Sequence, residues 1–375
     1  EGEPGDLPKG EALSFDRWAM NDLNFNMNED DEKGTFLISN IEVNGLQDQK
    51  AAQMLLKNMT FDMYDGSDDM TVKAKIGNVD IRGMDLKVFA PEDDEDLDAD
   101  GLQSSFESGF MSGFRGQDPA NPGYDSIEME DVDVDVSGVN FVMDKLVSKV
   151  ARDNQDRAVK VVTEPTTMKL NVGEGELANQ LAPQLATLGY ESLELTMAGE
   201  QTYDPDKDII TLAKGKNYWE LKDGFRLDFA AKYEGASAMA QAMQDQDQSA
   251  SFNPAAFDQM FEKLSIHSFE MALDDNGIVD RAFSAYAAQS GQDPEELRNQ
   301  TAGLLAMAPM MAAGSGIDAE LITEATTAMS SFITDPKTLT IKLSPAAPLK
   351  VSELAEMEDP SSLTKASLGF SAKNE

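Results

Sequence analysis

From Phe15 onward, apolar and polar residues alternate in short runs. WAMNDLNFNM and TFLISNIEVNGL flank the acidic turn NEDDEKG, and a period of two marks half-buried strands, so this pair reads as a hairpin. LELTMAGEQTY, IITLAKGKNYWEL and FRLDFAAKYEG repeat the pattern with the turns DPDKD and KDG between them, which predicts an antiparallel meander. SIHSFEMAL and KTLTIKL read as further strands. Helical spacing appears in FVMDKLVSKVARD, in ELANQLAPQLATLG with Pro183 inside it, and in AAFDQMFEKL. AMAQAMQDQDQSASFNP is Gln-rich and weakly patterned and reads as a loop or a frayed helix end. From Pro294 to Phe332 the pattern is mainly helical in two segments, and the first contains TAGLLAMAPMMAAG, apolar all round. Only a buried or ligand-covered helix tolerates that. The expected architecture is α+β: a large, curved, mainly antiparallel β-sheet with helices packed on one face.

Asn40-Ile41-Glu42-Val43-Asn44-Gly45-Leu46 recurs as Asn78-Val79-Asp80-Ile81-Arg82-Gly83-Met84 and as Asp133-Val134-Asp135-Val136-Ser137-Gly138-Val139. Each copy is an amphipathic strand ending at a glycine that permits a bulge or a close backbone approach. Three copies point to adjacent β units in one extended sheet, although acidic amphipathic strands also resemble one another by chance. The expected organisation is a flexible leader at 1–13, a β-repeat region at 14–190 with an acidic insertion at about 90–124, and a meander with a helical section and a closing strand at 191–375. The insertion suits a mobile loop or a ligand-gated lid.

Charge narrows the partners. The 375 residues carry 69 acidic and 30 basic side chains, a formal net charge of −39. Nucleic acid is excluded as an expected partner because phosphate binding needs clustered Lys and Arg, and an anionic membrane surface repels such a chain. At 41% hydrophobic, the sequence still supports a sizeable core. Cysteine is absent, which removes thiol nucleophiles, disulfides and thiolate metal sites. The single histidine, His267, reads as a strand residue. No apolar run reaches the roughly 18 residues of a membrane-spanning helix. The chain opens on Glu1 rather than methionine, which fits a chain trimmed from a precursor such as one with a secretory signal.

The sharpest motif is DLDADGLQSSFE. Asp96, Asp98, Asp100, Gly101 and Glu107 match an EF-hand-type calcium loop, with Leu102 offering its carbonyl. Gln103 replaces the usual aliphatic residue, the preceding LKVFAPEDDE reads as a strand and an acidic run, and an acidic run generates such a pattern by accident. Asp204, Asp206 and Asp208 alternate similarly without a glycine or closing glutamate and read as an exposed turn. No phosphate loop, dinucleotide fingerprint or nucleophile elbow is present. The expectation is therefore no enzyme, with a hydrolase using a carboxylate pair left open. The 21 methionines include Met239, Met243, Met260, Met307, Met310, Met311 and Met329 on or beside apolar helices. They suit either an irregular core or a surface adapting to varied apolar partners.

The β repeat, YDPDKDIITL leading into YWELKDGFRLDF, and DPKTLTIKLSPAAPL resemble the β-rich envelope proteins of Gram-negative bacteria grouped around the AsmA-like and YdgA-like families. That resemblance implies a secreted or periplasmic location, elongated curved sheets and, in some members, lipid handling. The leading expectation is a non-catalytic envelope protein that binds a hydrophobic ligand, a lipid, between sheet and apolar helices, with Leu304, Leu305, Met307, Met310 and Met311 as lining. The alternative is a calcium-stabilised structural or adhesion module that binds other proteins.

Overall fold

The computed structural model describes residues 14–28, 32–66, 70–89, 118–247, 260–312, 316–355 and 360–375. The leader 1–13 and most of the acidic insertion lie outside them. The chain divides into two compact units: Glu1–Thr166 with Gly173–Leu177 and Ala240–Asn253, and Thr167–Val172 with Ala178–Met239 and Pro254–Glu375. Most of the described chain is antiparallel strand, with helices inserted between strands.

In the first unit, β1 (Phe15–Asn28), β2 (Glu32–Gln47), β3 (Lys50–Asp65), β4 (Met70–Asp85), β5 (Ser126–Val136) and β6 (Val139–Arg152) follow one another as sheet neighbours, and β7 (Ala158–Val172) begins beside β6. A short α1 (Leu86–Phe89) follows β4. The strands are long, and their alternation is interrupted at fixed places. On β1 the apolar positions are Trp18, Met20, then Leu23, Phe25 and Met27. On β4 they are Val72, Ala74, Ile76, then Val79, Ile81, then Met84. At each step of three, the pairing register skips one residue on both strands, and a residue of left-handed φ stands in one of them: Asp22, Gly45, Asn58, Gly83 or Asp131. The extra residue resets the parity, so apolar side chains on either side of it stay on the same face. Leu56, Val79, Ile81 and Ile127 are accordingly buried together with Tyr124, and Met59 and Ile76 from beyond the step pack against them.

This explains two departures from expectation. FVMDKLVSKVARD is strand β6 rather than a helix. Met143 and Leu146 are three apart because the register skips Asp144, opposite Asp131, and that spacing imitates a helix. Val139, Val142, Val147 and Val150 favour extended backbone. The first two repeat copies are equivalent, each ending at a left-handed glycine within a strand, Gly45 at φ 61° and Gly83 at φ 63°. The third is not: Ser137 and Gly138, φ 47° and 87°, form the β5–β6 hairpin turn.

The second unit takes α2 from Ala178 onward (Glu176–Thr187), then β8 (Ser192–Asp204), β9 (Ile209–Leu212), β10 (Tyr218–Leu221) and β11 (Phe225–Glu234). IITLAKGKNYWEL is two strands because Asn217 breaks it. This side chain is buried, accepts from the Glu200 N–H at 2.9 Å and donates to the carbonyls of Glu200 and Ala213. The Gln-rich segment begins as a regular helix, α3 (Ala236–Asp247), since Ala, Met and Gln are strong helix formers. Its start is fixed by the Asp208 carboxylate, which accepts from the Ser237 N–H at 2.9 Å and from the Ser237 hydroxyl at 2.6 Å.

After β12 (Ser265–Asp275) come α4 (Ile278–Ser290), α5 (Pro294–Met311) and α6 (Ala319–Thr334), then β13 (Thr338–Leu343), β14 (Leu349–Lys350), α7 (Val351–Ala355), α8 (Lys365–Leu368) and β15 (Ser371–Asn374). Sheet order runs β8-β10-β11-β12-β13-β15, with β9 against β8 and β11, and β14 against β12. Asp293 and Asp318 cap α5 and α6 through the N–H groups of Glu295, Glu296 and Glu320. Val279 of α4, Ala328 and Phe332 of α6, Leu339 of β13 and Ala372 of β15 are buried in one cluster.

Candidate functional site

The first unit's sheet sorts its side chains by chemistry. Directly paired residues share a face, so each register row can be read across the sheet. One row is Phe25, Phe36, Phe61, Ala74, Val134 and Phe141; the next is Leu23, Ile38, Met59, Ile76, Val132 and Met143. Phe25 stacks on Phe36 with centroids 6.3 Å apart, and Phe36 meets Phe61 edge-on at 6.5 Å. Ile38 is buried, while Phe25 is 57% exposed and Phe141 44%. Trp18 and Met27 are exposed beside them. An aromatic and aliphatic face therefore runs from a buried centre to an exposed margin.

The opposite face carries a polar ladder. Arg17 bonds the Glu42 carboxylate at 2.7 Å, Asn44 donates to Glu42 and to Gln53, and Gln53 donates to Asp80 at 3.0 Å, beside Arg82. Hydrogen bonds from Arg17 and then Asn44 hold the Glu42 carboxyl at a pKa of about 2. Lys145 bridges Glu128 and Glu130, and its hydrogen bond, with that of Asn78, holds Glu130 below the usual carboxylate range. Opposite charges thus neutralise one another across strands despite the net charge.

Near the β1–β2 and β3–β4 hairpin ends lies an open trough of about 780 Å³. Its lining mixes Asn26, Lys33, Thr35, Thr60, Asp62 and Lys73 with Met27, Leu37, Phe61 and Tyr64. Its size suits a small molecule.

Leu304, Met307, Met310 and Met311 lie on the outer side of α5, 65%, 52%, 76% and 78% exposed, and Leu305 is half-buried. Only Ala302 of this helix is fully buried. The helix is thus uncovered on an apolar side, and neither the trough nor a second concavity around Ser137 and Gly175 includes these residues. Asp96, Asp98, Asp100, Leu102 and Glu107 lie outside the described residues. Among the described residues, no group of three or more His, Asp or Glu is arranged to hold a metal. Asp204 pairs with Lys207 at 2.6 Å and Asp208 caps α3, so that triplet is a turn. His267 stands on β12 with Nε2 3.5 Å from the Glu234 carboxylate.

Sequence reasoning missed Phe25, Phe36 and Phe61 as one row. The signal was the step of three in the apolar spacing, which aligns the strands when it is matched from one to the next.

A family model described as "Uncharacterized protein" matches residues 218–375. No curated protein matches the chain. No helix among the described residues is long and apolar enough to cross a membrane.

Proposed function

We propose that this protein binds a hydrophobic ligand, a lipid with an acyl chain, on the apolar face of its first unit, without catalysing a reaction. One observation carries the reading: successive strands keep their apolar side chains on one face through the register steps, yet the margin at Phe25, Met27 and Phe141 is left exposed. Covering that exposed fraction contributes roughly 2–4 kcal/mol at about 1.5–3 kcal/mol per fully buried side chain. Each methylene of the ligand that becomes fully buried adds about 0.8 kcal/mol, set against the cost of immobilising the ligand. The uncovered side of α5, with Leu304, Met307, Met310 and Met311, is a second surface of the same character, suited by flexible methionines to varied acyl chains. A curved sheet with helices gathered on one face suits such a carrier. The acidic exterior keeps the loaded protein dispersed, which fits a periplasmic or secreted location.

Organic extraction of the purified protein followed by mass spectrometry, with titration of a fluorescent fatty-acyl probe, tests this. Expected are a co-purifying lipid and saturable probe binding weakened about tenfold or more by Phe25→Asp. Absence of both lipid and probe binding refutes it.

A further inference from the structure

The outer edge of the first unit follows the same rule as its interior. Along five successive strands, the fifth pair beginning one residue before β5, an ordinary residue is followed, six positions on, by a left-handed one: Asp16 and Asp22, Ser39 and Gly45, Ala52 and Asn58, Gly77 and Gly83, Asp125 and Asp131. Because neighbours run antiparallel, each left-handed residue falls opposite an ordinary one: Asp22 against Ser39, Gly45 against Asp16 and Ala52, Asn58 against Ser39 and Gly77. Any strand added beside β1 must carry this spacing in the opposite direction. A straight strand from an unrelated protein loses register at Asp22.

β1 itself carries it. We propose that two copies of this chain join edge to edge through antiparallel β1 strands, with Ala19 opposite the partner's Ala19. Asp22 then faces the partner's Asp16, reproducing the alternation found inside the sheet. The side chains agree as well: Trp18 meets the partner's Met20, Phe15 meets the partner's Leu23, and Arg17 meets the partner's Asn21. Apolar residues fall on the apolar face and polar ones on the polar face. The like-charged meeting of Asp22 with the partner's Asp16 has a precedent in Asp131 opposite Asp144. Among the described residues β1 pairs only with β2, most of its side chains are exposed, and no Pro stands in its fourteen residues, whose charges are Asp16, Arg17 and Asp22. Trp18, 44% exposed, gains cover in the pairing.

Sedimentation velocity of the full chain over a concentration series tests this at low and high salt. Two copies of charge −39 repel until salt screens them, with a Debye length of about 10 Å at 0.1 M, so dimerisation should strengthen as salt rises. Ala19→Cys in this cysteine-free chain places two thiols at the symmetry axis. Directly opposed residues lie about 4.5–5.5 Å apart between Cα atoms, within disulfide range. Oxidation should cross-link it at least about tenfold faster than Asn28→Cys, which has no opposed copy of itself. Ala19→Lys alone should be monomeric, as should Ala19→Glu, and mixing the two should restore a dimer, a rescue that misfolding cannot produce. A monomer at every salt and concentration, or equal cross-linking at positions 19 and 28, overturns the proposal.

Discussion

Replacing Gly83 by alanine tests the physical basis of the first unit's sheet. Gly83 stands at φ 63° inside β4, so any side chain there adopts a left-handed backbone, at a cost of about 1–2 kcal/mol. The position is also crowded. An added Cβ overlaps the carboxylate of Asp125 and lies 3.0 Å from its Cβ. Asp125 cannot retreat freely: its N–H donates to the Arg82 carbonyl at 2.8 Å, its own carbonyl accepts from Val150, and its carboxylate holds Arg152 at 2.6 Å. Displacing it adds about 1–3 kcal/mol of overpacking, giving a total of roughly 2–5 kcal/mol, a large part of an ordinary domain's stability. Gly45→Ala has the same φ penalty, but its Cβ meets only the Ala52 methyl at 3.0 Å, so about 1–2 kcal/mol is expected. Urea unfolding followed by circular dichroism measures both, and Asp125→Ala combined with Gly83→Ala separates the contributions. The double variant should be more stable than the sum of the single losses by about 1–3 kcal/mol, because the overlap with the carboxylate is gone and only the backbone penalty and the 3.0 Å contact with the residue 125 Cβ are left. Additivity, or Gly83→Ala within about 0.5 kcal/mol of the parent, refutes the reasoning.

The calcium-type motif DLDADGLQSSFE has its own test: calcium titrated calorimetrically into the full chain should give one saturable site that Asp98→Ala abolishes, as the motif's ligand spacing requires; absent heats, or heats the variant leaves unchanged, count against the motif. Glu42 has a folded-state pKa lowered from 4.5 to about 2 by Arg17 and Asn44, so its stabilisation is present above about pH 4.5 and disappears as pH falls towards 2. The gap between the urea midpoints of the parent and Glu42→Gln should therefore close over that window, and a gap that stays constant would show that the bonds to Glu42 do not favour its charged form.

The legible part of this fold is the part in which side-chain period equals backbone period. The β1–β2 hairpin, the 78–84 stretch of β4, the DPDKD and KDG turns and the closing strand could be read because apolar residues alternate there over short windows beside Gly- and Asp-rich turns, whereas β3 passed unread. β6 could not, because a skipped residue at Asp144 converts a period of two into a local step of three, which helices also use. Nor could the left-handed positions of Asp22, Asn58 and Asp131 be read. Asp and Asn tolerate that conformation, but on an amphipathic strand they look like ordinary members of the polar face. Only the glycines betrayed the device, and even there Gly138 shares the motif while serving a hairpin turn. The apolar character of α5 was plain, whereas its exposure depends on neighbours that a local pattern does not encode.

The register steps also bear on how a sheet of this length keeps one chemistry per face. A uniform strand of sixteen residues such as β2 needs strict alternation from end to end to stay amphipathic, and a single inserted residue would turn every later side chain over. Here the insertions are matched across neighbours, so each strand's parity change is cancelled by a left-handed residue at the same level. Were Asp22 an ordinary alternating strand residue, Leu23, Phe25 and Met27 would turn to the side occupied by Arg17, Glu42 and Asp80, and the row that stacks Phe25 on Phe36 could not form. The apolar surface assigned to ligand binding and the edge spacing assigned to self-pairing thus follow from the same repeated backbone feature. Each is nonetheless testable alone: Phe25→Asp alters the surface without touching the spacing, and Ala19→Lys alters the edge without touching the aromatic row.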